Sequence, residues 1–360
     1  MSGENKRNVR PVKVGGLTLD GKKIYIQSML NVPSTDIEGS VKQAVELEKA
    51  GCEIVRAAIP NMEAVKLIPA IKEKISIPLV ADIHFDYRLA IAAVEAGIDK
   101  IRINPGNIGD TDRVRQVAEA ARSAGIPIRV AVNSGSLEKE LLAEYGGVCA
   151  EGLAESAIKN AEILEQLGFN DIVLSLKASD VKMNNEAYRI VDRKSDYPLH
   201  IGVTEAGTVN SGIIKSSIGI GALLLDGIGD TMRVSLTADP VREVVAAKEI
   251  LKALDLREGA IDIRSCPTCG RTEVDLERIA TEIEARLSAL EEVRAGRGRL
   301  KVAVMGCAVN GPGEAREADI GVACGRGEGL IFRRGEIIKK VKESEIVEET
   351  ARMVMEYENL

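Results

Sequence analysis

The chain has 360 residues and a formal net charge of −7, with a pI near 5.3. An acidic chain is a poor partner for nucleic-acid phosphates, which are bound by a basic face. Hydrophobic residues make up 45% and charged residues 29%, the balance of an ordinary globular protein.

The N-terminal segment MSGENKRNVRPVKVGG lacks the apolar stretch of a secretory signal. The most apolar run, SSIGIGALLL, is half the length of roughly 20 residues that a spanning helix needs. A cytoplasmic protein with no membrane partner is expected. Six cysteines in such a compartment are thiols or metal ligands more readily than disulfides. Only two histidines, His84 and His200, are present, so a histidine-rich zinc site is excluded by count.

From residue 24 onward, short β-branched runs alternate with amphipathic segments rich in Ala, Glu, Lys and Leu. The predicted strands are 24–29, 53–58, 78–84, 100–105, 127–132, 171–177, 198–203 and 231–236. Predicted helices include 38–51, 86–97, 112–125, 153–168 and 239–255, several ending at Gly. Eight strand–helix units in succession predict an α/β fold, a (β/α)8 TIM barrel, over residues 1–258. The alternative, a doubly wound open sheet, often carries nucleotide-binding glycine signatures, and neither G-x-G-x-x-G nor G-x-x-x-x-G-K-[ST] is found.

Four predicted strands carry an arginine inside an apolar run: Arg56, Arg102, Arg129 and Arg233; a fifth carries Lys177. Alternate residues of a strand share a face. Arg102 therefore points with Asn104, Arg129 with Asn133, and Arg233 with Ser235. Ile101, Ile103, Ile128, Val130 and Val132 form the opposite face, suited to packing under helices. The polar face is then the barrel interior, and the C-terminal mouth is where such barrels bind substrates. Interior carboxylates such as Asp82 and Glu205 account for one or two of these cations. The surplus favours a polyanionic ligand, with phosphate or diphosphate the best match to guanidinium forks. Asp82 and Glu205, at or just beyond strand ends, are the better candidates for chemistry; His84 is an open case, and His200 reads as a core histidine.

After residue 258 the repeat stops, and residues 259–360 read as a separate small α/β domain. It contains a helix at about 274–291, strands KVAVMG and ADIGVAC, and a last helix at about 343–358. SCPTCG holds Cys266 and Cys269; MGCAVNGPGEA holds Cys307 and, seven residues on, Glu314. Spacing alone leaves zinc, an iron–sulfur cluster and coincidence open, with the cluster modestly favoured because the second half of a paired zinc motif is missing. Cys52 and Cys324 read as core residues and Cys149 as a loop or helix-start thiol. Asn310, Gly311, Pro312 and Gly313 are turn formers that can fold Glu314 back toward Cys307. A carboxylate holds iron more loosely than a thiolate, which would leave a position open to substrate.

SCPTCG, MGCAVNGPGEA and the barrel segments IRINPGN, VNSGS, SLKASD, HIGVTEAG and RVSLTADP resemble the 4-hydroxy-3-methylbut-2-enyl diphosphate synthases over nearly the whole chain. The length is similar to the two-domain bacterial form. The resemblance implies reductive ring opening and dehydration of 2-C-methyl-D-erythritol 2,4-cyclodiphosphate by two one-electron transfers, in non-mevalonate isoprenoid biosynthesis. It implies a [4Fe–4S] cluster on Cys266, Cys269, Cys307 and Glu314. Diphosphate binding falls to Arg56, Arg102, Arg129, Lys177 and Ser235, with Asn104, Asn133, Asp82 and Glu205 around the substrate. It further implies ferredoxin or flavodoxin as electron donor and a homodimer in which one subunit's cluster domain caps the other's barrel. Glu205 is the expected proton donor. Two rival readings are a zinc-stabilised pterin-type barrel and a non-catalytic iron–sulfur carrier; the second has no use for a cationic barrel mouth.

Overall fold

A computed structural model describes residues 7–291, 294, 297–307 and 316–358. The chain divides into two compact units, Met1–Ile250 and Leu251–Leu360.

The first unit opens with an antiparallel hairpin, β1 (Val12–Val14) and β2 (Leu17–Leu19). Eight parallel strands follow: β3 (Tyr25–Met29), β4 (Ile54–Ala58), β5 (Leu79–Asp82), β6 (Lys100–Ile103), β7 (Ile128–Asn133), β8 (Ile172–Lys177), β9 (His200–Gly202) and β10 (Thr231–Arg233). Their order is β8-β7-β6-β5-β4-β3-β10-β9, and a parallel bridge from Leu174 to Leu199 joins β8 to β9. That bridge closes the barrel, so the (β/α)8 expectation holds. All eight strands fall inside their predicted spans apart from Asn133, one residue past the predicted end of β7.

Sequence pattern explains the local structure. Asp36, Asp86, Asp110 and Asp180 each accept a backbone N–H in the first turn of the helix that follows, satisfying a donor the helix cannot. Ile101, Ile103, Ile128, Val130, Ile172 and Leu174 are fully buried under the helices. Burial of each such side chain contributes about 1.5–3 kcal/mol. The apolar SSIGIGALLL run lies in the helix Val209–Leu225, and no described helix is long and apolar enough to cross a membrane. The β1–β2 hairpin, absent from the sequence reading, packs Val12, Val14 and Leu19 on Val173 and Tyr25. Those two residues lie within the first two positions of their strands, so the hairpin covers the N-terminal end and leaves the other end as the mouth.

The second unit is a five-stranded sheet ordered β11 (Ile261–Ser265), β12 (Leu300–Met305), β13 (Ile320–Gly325), β14 (Glu328–Arg333) and β15 (Glu336–Lys342). The first three are parallel and the last three antiparallel. Helices Leu276–Glu291 and Ile346–Glu358 cover one face over a core of Ile279, Ile283, Leu287, Val302, Val304 and Val322. Sequence reading found both helices, β12 and β13 but omitted β11, β14 and β15. β11 has only the weak pattern IDIRS, and β15, EIIKKVK, is an edge strand exposed at all but one residue.

Candidate active site: the barrel mouth and the cysteine loops

A cavity of about 160 Å³ opens at the C-terminal end of the barrel strands. Arg56, Asp82, His84, Arg102, Arg129, Asn133, Lys177, Thr204, Arg233 and Ser235 all contribute to its wall. Seven of these are residues the sequence reading assigned to the site. β5, β6 and β7 align Asp82, Arg102 and Arg129 side by side, and β7 and β8 align Asn133 with Lys177.

The cations divide by what holds them. Arg102 Nη1 donates to Asp82 Oδ1 at 3.0 Å, and Arg56 Nε lies 3.9 Å from Asp82 Oδ2. His84 Nε2 is 3.5 Å from the same Oδ2. Burial alone would raise the Asp82 carboxyl, but Arg56, the His84 contact and Arg102 outweigh it and hold it well below the usual carboxylate range. Asp82 is therefore ionised and orients arginines. Arg56 also donates to the Met29 thioether at 2.7 Å from Nη2, a soft acceptor in place of an oxygen. Arg233 forks onto Glu243, with Nε–Oε2 and Nη2–Oε1 both 2.9 Å. Asn133, with its amide oxygen turned inward, accepts from Arg102 Nη2 at 3.3 Å.

Arg129 and Lys177 have no ion pair among the described residues. Arg129 donates Nη1 to the neutral Gln27 Oε1 at 3.1 Å. Burial, then Arg56 and the other cations, push both groups well below their ordinary pKa. Room for Lys177 comes from Gly202: a Cβ there would meet Lys177 Nζ at 3.0 Å and the Arg233 carbonyl oxygen at 2.7 Å. Interior acids thus account for Arg56, Arg102 and Arg233, leaving two buried cations short of negative charge, which is the electrostatics of an anion site.

Two expected residues stand apart from the cavity wall. Asn104 is buried, and its Oδ1 accepts from Gly106 N–H at 3.1 Å, capping the short turn Pro105–Ile108. Glu205 is exposed at the rim, with a left-handed φ of 53° that a non-glycine residue adopts only under constraint. Glu243 and Gln27 were missed. The signal for Glu243 was an acid in the first turn of the helix after β10, and Gln27 shares the interior parity of β3.

In the second unit, adjacent parallel strands β11 and β12 end together, with Ser265 opposite Val304. Cys266 and Cys307 follow them at the same edge. Cys266 N–H donates to the Val304 oxygen at 3.3 Å, and Gly306 N–H donates to Cys266 Sγ at 3.1 Å. A Cβ on Gly306 would meet Leu276 at 2.9 Å and the Thr272 methyl at 3.1 Å, so a larger residue beside Cys307 would have to displace these side chains. Thr272 Oγ1 accepts from Cys269 N–H at 3.2 Å, which draws the exposed Cys269 into the same turn. None of the six cysteines is in a disulfide. Among the described residues, no three His, Cys, Asp or Glu side chains are gathered around a single ion. Glu314 lies outside the described residues. Cys324 is fully buried, its thiol pushed up to about 12 by burial, as expected of a core residue.

Barrel and mouth together define a (β/α)8 protein with a cation-rich cavity at its mouth, joined to a unit that presents thiols from neighbouring loops. The chain belongs to the GcpE family: the family's TIM-barrel domain matches residues 8–248 and its C-terminal domain residues 262–356. It is 57% identical over 352 residues to the 4-hydroxy-3-methylbut-2-en-1-yl diphosphate synthase (flavodoxin) of Fusobacterium nucleatum, covering 98% of each chain. It is 56% identical over 351 residues to that of Clostridium perfringens, covering 97% of this chain and 99% of the relative. Among solved structures, dihydropteroate synthase from Stenotrophomonas maltophilia is similar at a TM-score of 0.50 and 16% identity, over 68% of this chain and 97% of that one. That likeness is one of fold alone.

Proposed function

We infer that the chain carries out the reaction for which its relatives are named, forming 4-hydroxy-3-methylbut-2-enyl diphosphate. The substrate is 2-C-methyl-D-erythritol 2,4-cyclodiphosphate; its ring is opened with two electrons and loss of water. The observation that carries this reading is the charge imbalance at the mouth, where Arg129 and Lys177 are buried without a carboxylate. Arg129, Lys177, Arg102 and Arg56 bind the diphosphate, with the Ser235 hydroxyl as a further donor. Asp82 and Glu243 act through the guanidiniums they orient. Asn133 fixes Arg102, and Asn104 shapes the loop after β6. Glu205, at the rim, is assigned the proton that accompanies reduction.

Cys266, Cys269, Cys307 and Glu314 are the residues that would hold a [4Fe–4S] cluster, and the donor set fits it: thiols on converging loops, one sulfur already accepting a backbone N–H, the contact that tunes cluster thiolates. Such a cluster supplies electrons one at a time. The electron donor is flavodoxin or ferredoxin, and the working form is a cytoplasmic homodimer, with the barrel as residues 1–258 and the cluster domain as 259–360. The test is anaerobic purification followed by iron and acid-labile sulfide analysis, then turnover of the cyclodiphosphate with reduced flavodoxin. About four iron and four sulfide per chain with product formation is expected; stoichiometric zinc without sulfide overturns the reading.

A further inference from the structure

Beneath the mouth, the barrel holds a second group of donors, of which Arg129 alone reaches the cavity. Lys100 heads β6 two residues before Arg102, so it faces the interior. Lys100, Arg129 and His200 are fully buried, and Gln27 is 1% exposed. Lys100 Nζ, Arg129 Nε, Gln27 Nε2 and His200 Nε2 have no hydrogen-bond partner among the described residues.

These groups are neighbours. Arg129 is bonded to Gln27, and Arg129 and Lys100 both act through space on His200. His200 Nδ1 lies 2.9 Å from Thr231 Oγ1; the tautomer that accepts there carries its proton on Nε2, which makes Nε2 a donor. Nearby carboxylates are engaged elsewhere, Asp82 with Arg102 and Arg56, and Glu243 with Arg233 and Ser28. Four buried donors, two on cationic side chains, therefore share no acceptor. A single buried water accepts two hydrogen bonds; a monatomic anion accepts from all four and neutralises charge as well.

We propose that Lys100, Arg129, Gln27 and His200 form a binding site for a small inorganic anion of the halide class, beneath the diphosphate cavity and separate from it. Of the four, only Arg129 also lines the mouth cavity. An anion here supplies the countercharge that Lys100 lacks: burial and the Arg129 and Arg56 guanidiniums drive its ammonium toward the neutral amine, and a halide reverses that pressure.

The test uses the holoenzyme and does not depend on turnover. Crystals soaked in sodium bromide are expected to show bromine anomalous scattering within hydrogen-bond reach of Lys100 Nζ and Arg129 Nε. In solution, with inorganic pyrophosphate saturating the mouth, the melting temperature is compared in bromide and in gluconate at equal ionic strength. A rise of roughly 2–3 °C is expected at halide tenfold above its dissociation constant, and Lys100→Met is expected to abolish it. An anomalous peak confined to Lys177 and Ser235, that is, an adventitious ion only, overturns the proposal. So do equal melting temperatures in the two salts. If Lys100→Met does not fold, the wild-type soak and the wild-type salt pair still decide.

Discussion

The barrel and the small unit present chemical groups in opposite ways. At the mouth, register does the work: Asp82, Arg102 and Arg129 stand side by side because three parallel strands pair as they do. Asp82 then lies 3.0 Å from Arg102 and 3.9 Å from Arg56, while Arg129, among the described residues, is held only by neutral Gln27 at 3.1 Å. In the small unit only the strand ends are fixed, and Cys266, Cys269 and Cys307 sit on the loops beyond them. A site built by strands exists before its ligand arrives. A site built by loops takes its final shape from what it holds. Separate substitutions should therefore fail in separable ways.

The largest effect is expected in the loops. Cys307→Ala removes one of the proposed cluster ligands. Iron and sulfide content should fall to near background, and turnover with them. Pyrophosphate affinity at the mouth should stay within about twofold, because strand register does not depend on Cys307. Calorimetric titration beside metal analysis checks both halves. A large loss of pyrophosphate affinity would mean the two regions are not independent.

Arg102→Ala is the converse. It removes a proposed phosphate donor and leaves buried Asp82 with one of its charged partners gone. KM should rise by about 10- to 100-fold, the scale of a lost charge-assisted contact of roughly 1.5–3 kcal/mol. Iron content should be unchanged. An unchanged KM would remove Arg102 from the diphosphate site.

How much of this was legible in the sequence follows the same division. Barrel strands were readable because β-branched runs recur at barrel spacing, and the interior cations were readable because strand parity is strict. Which cation is paired was not: Glu243 reaches Arg233 from a helix, and Gln27 reaches Arg129 from a strand 102 residues away. Asn104 had the parity of a cavity residue, but its amide is taken by the Gly106 N–H, a turn interaction that parity does not foresee. Likewise, β15 escaped notice since an edge strand exposed at all but one residue leaves no apolar pattern.

Glu243→Gln sharpens the account of preorganisation within the barrel. It keeps shape and hydrogen bonding but removes the charge that Arg233 forks onto, in a buried setting. Breaking a buried pair from one side costs about 3–5 kcal/mol; retention of an amide acceptor places the expected loss at the lower end. Denaturant unfolding measures it, and KM should rise only a fewfold, since Arg233 remains.

The smallest effect concerns pH and tests the barrel interior alone. Burial lowers the His200 imidazole's proton affinity, and Arg129, Lys177, Lys100 and Arg56 lower it further. Folded His200 is therefore neutral where unfolded histidine, with its ordinary value near 6.5, takes up a proton. Below that pH the unfolded chain binds one more proton than the folded one. Stability must then fall as pH falls, by about 1.4 kcal/mol per pH unit for one proton, until the folded group also titrates. His200→Asn retains an acceptor for Thr231 and removes the titration. Between pH 6 and 5, in gluconate buffer, wild type should lose stability more steeply than the variant by up to that slope. Every other ionisable group is common to both proteins and cancels in the difference. Parallel stability–pH curves would mean that folded His200 takes up its proton over the same range as the unfolded chain, and the cationic interior would then need a counterion once that proton is bound.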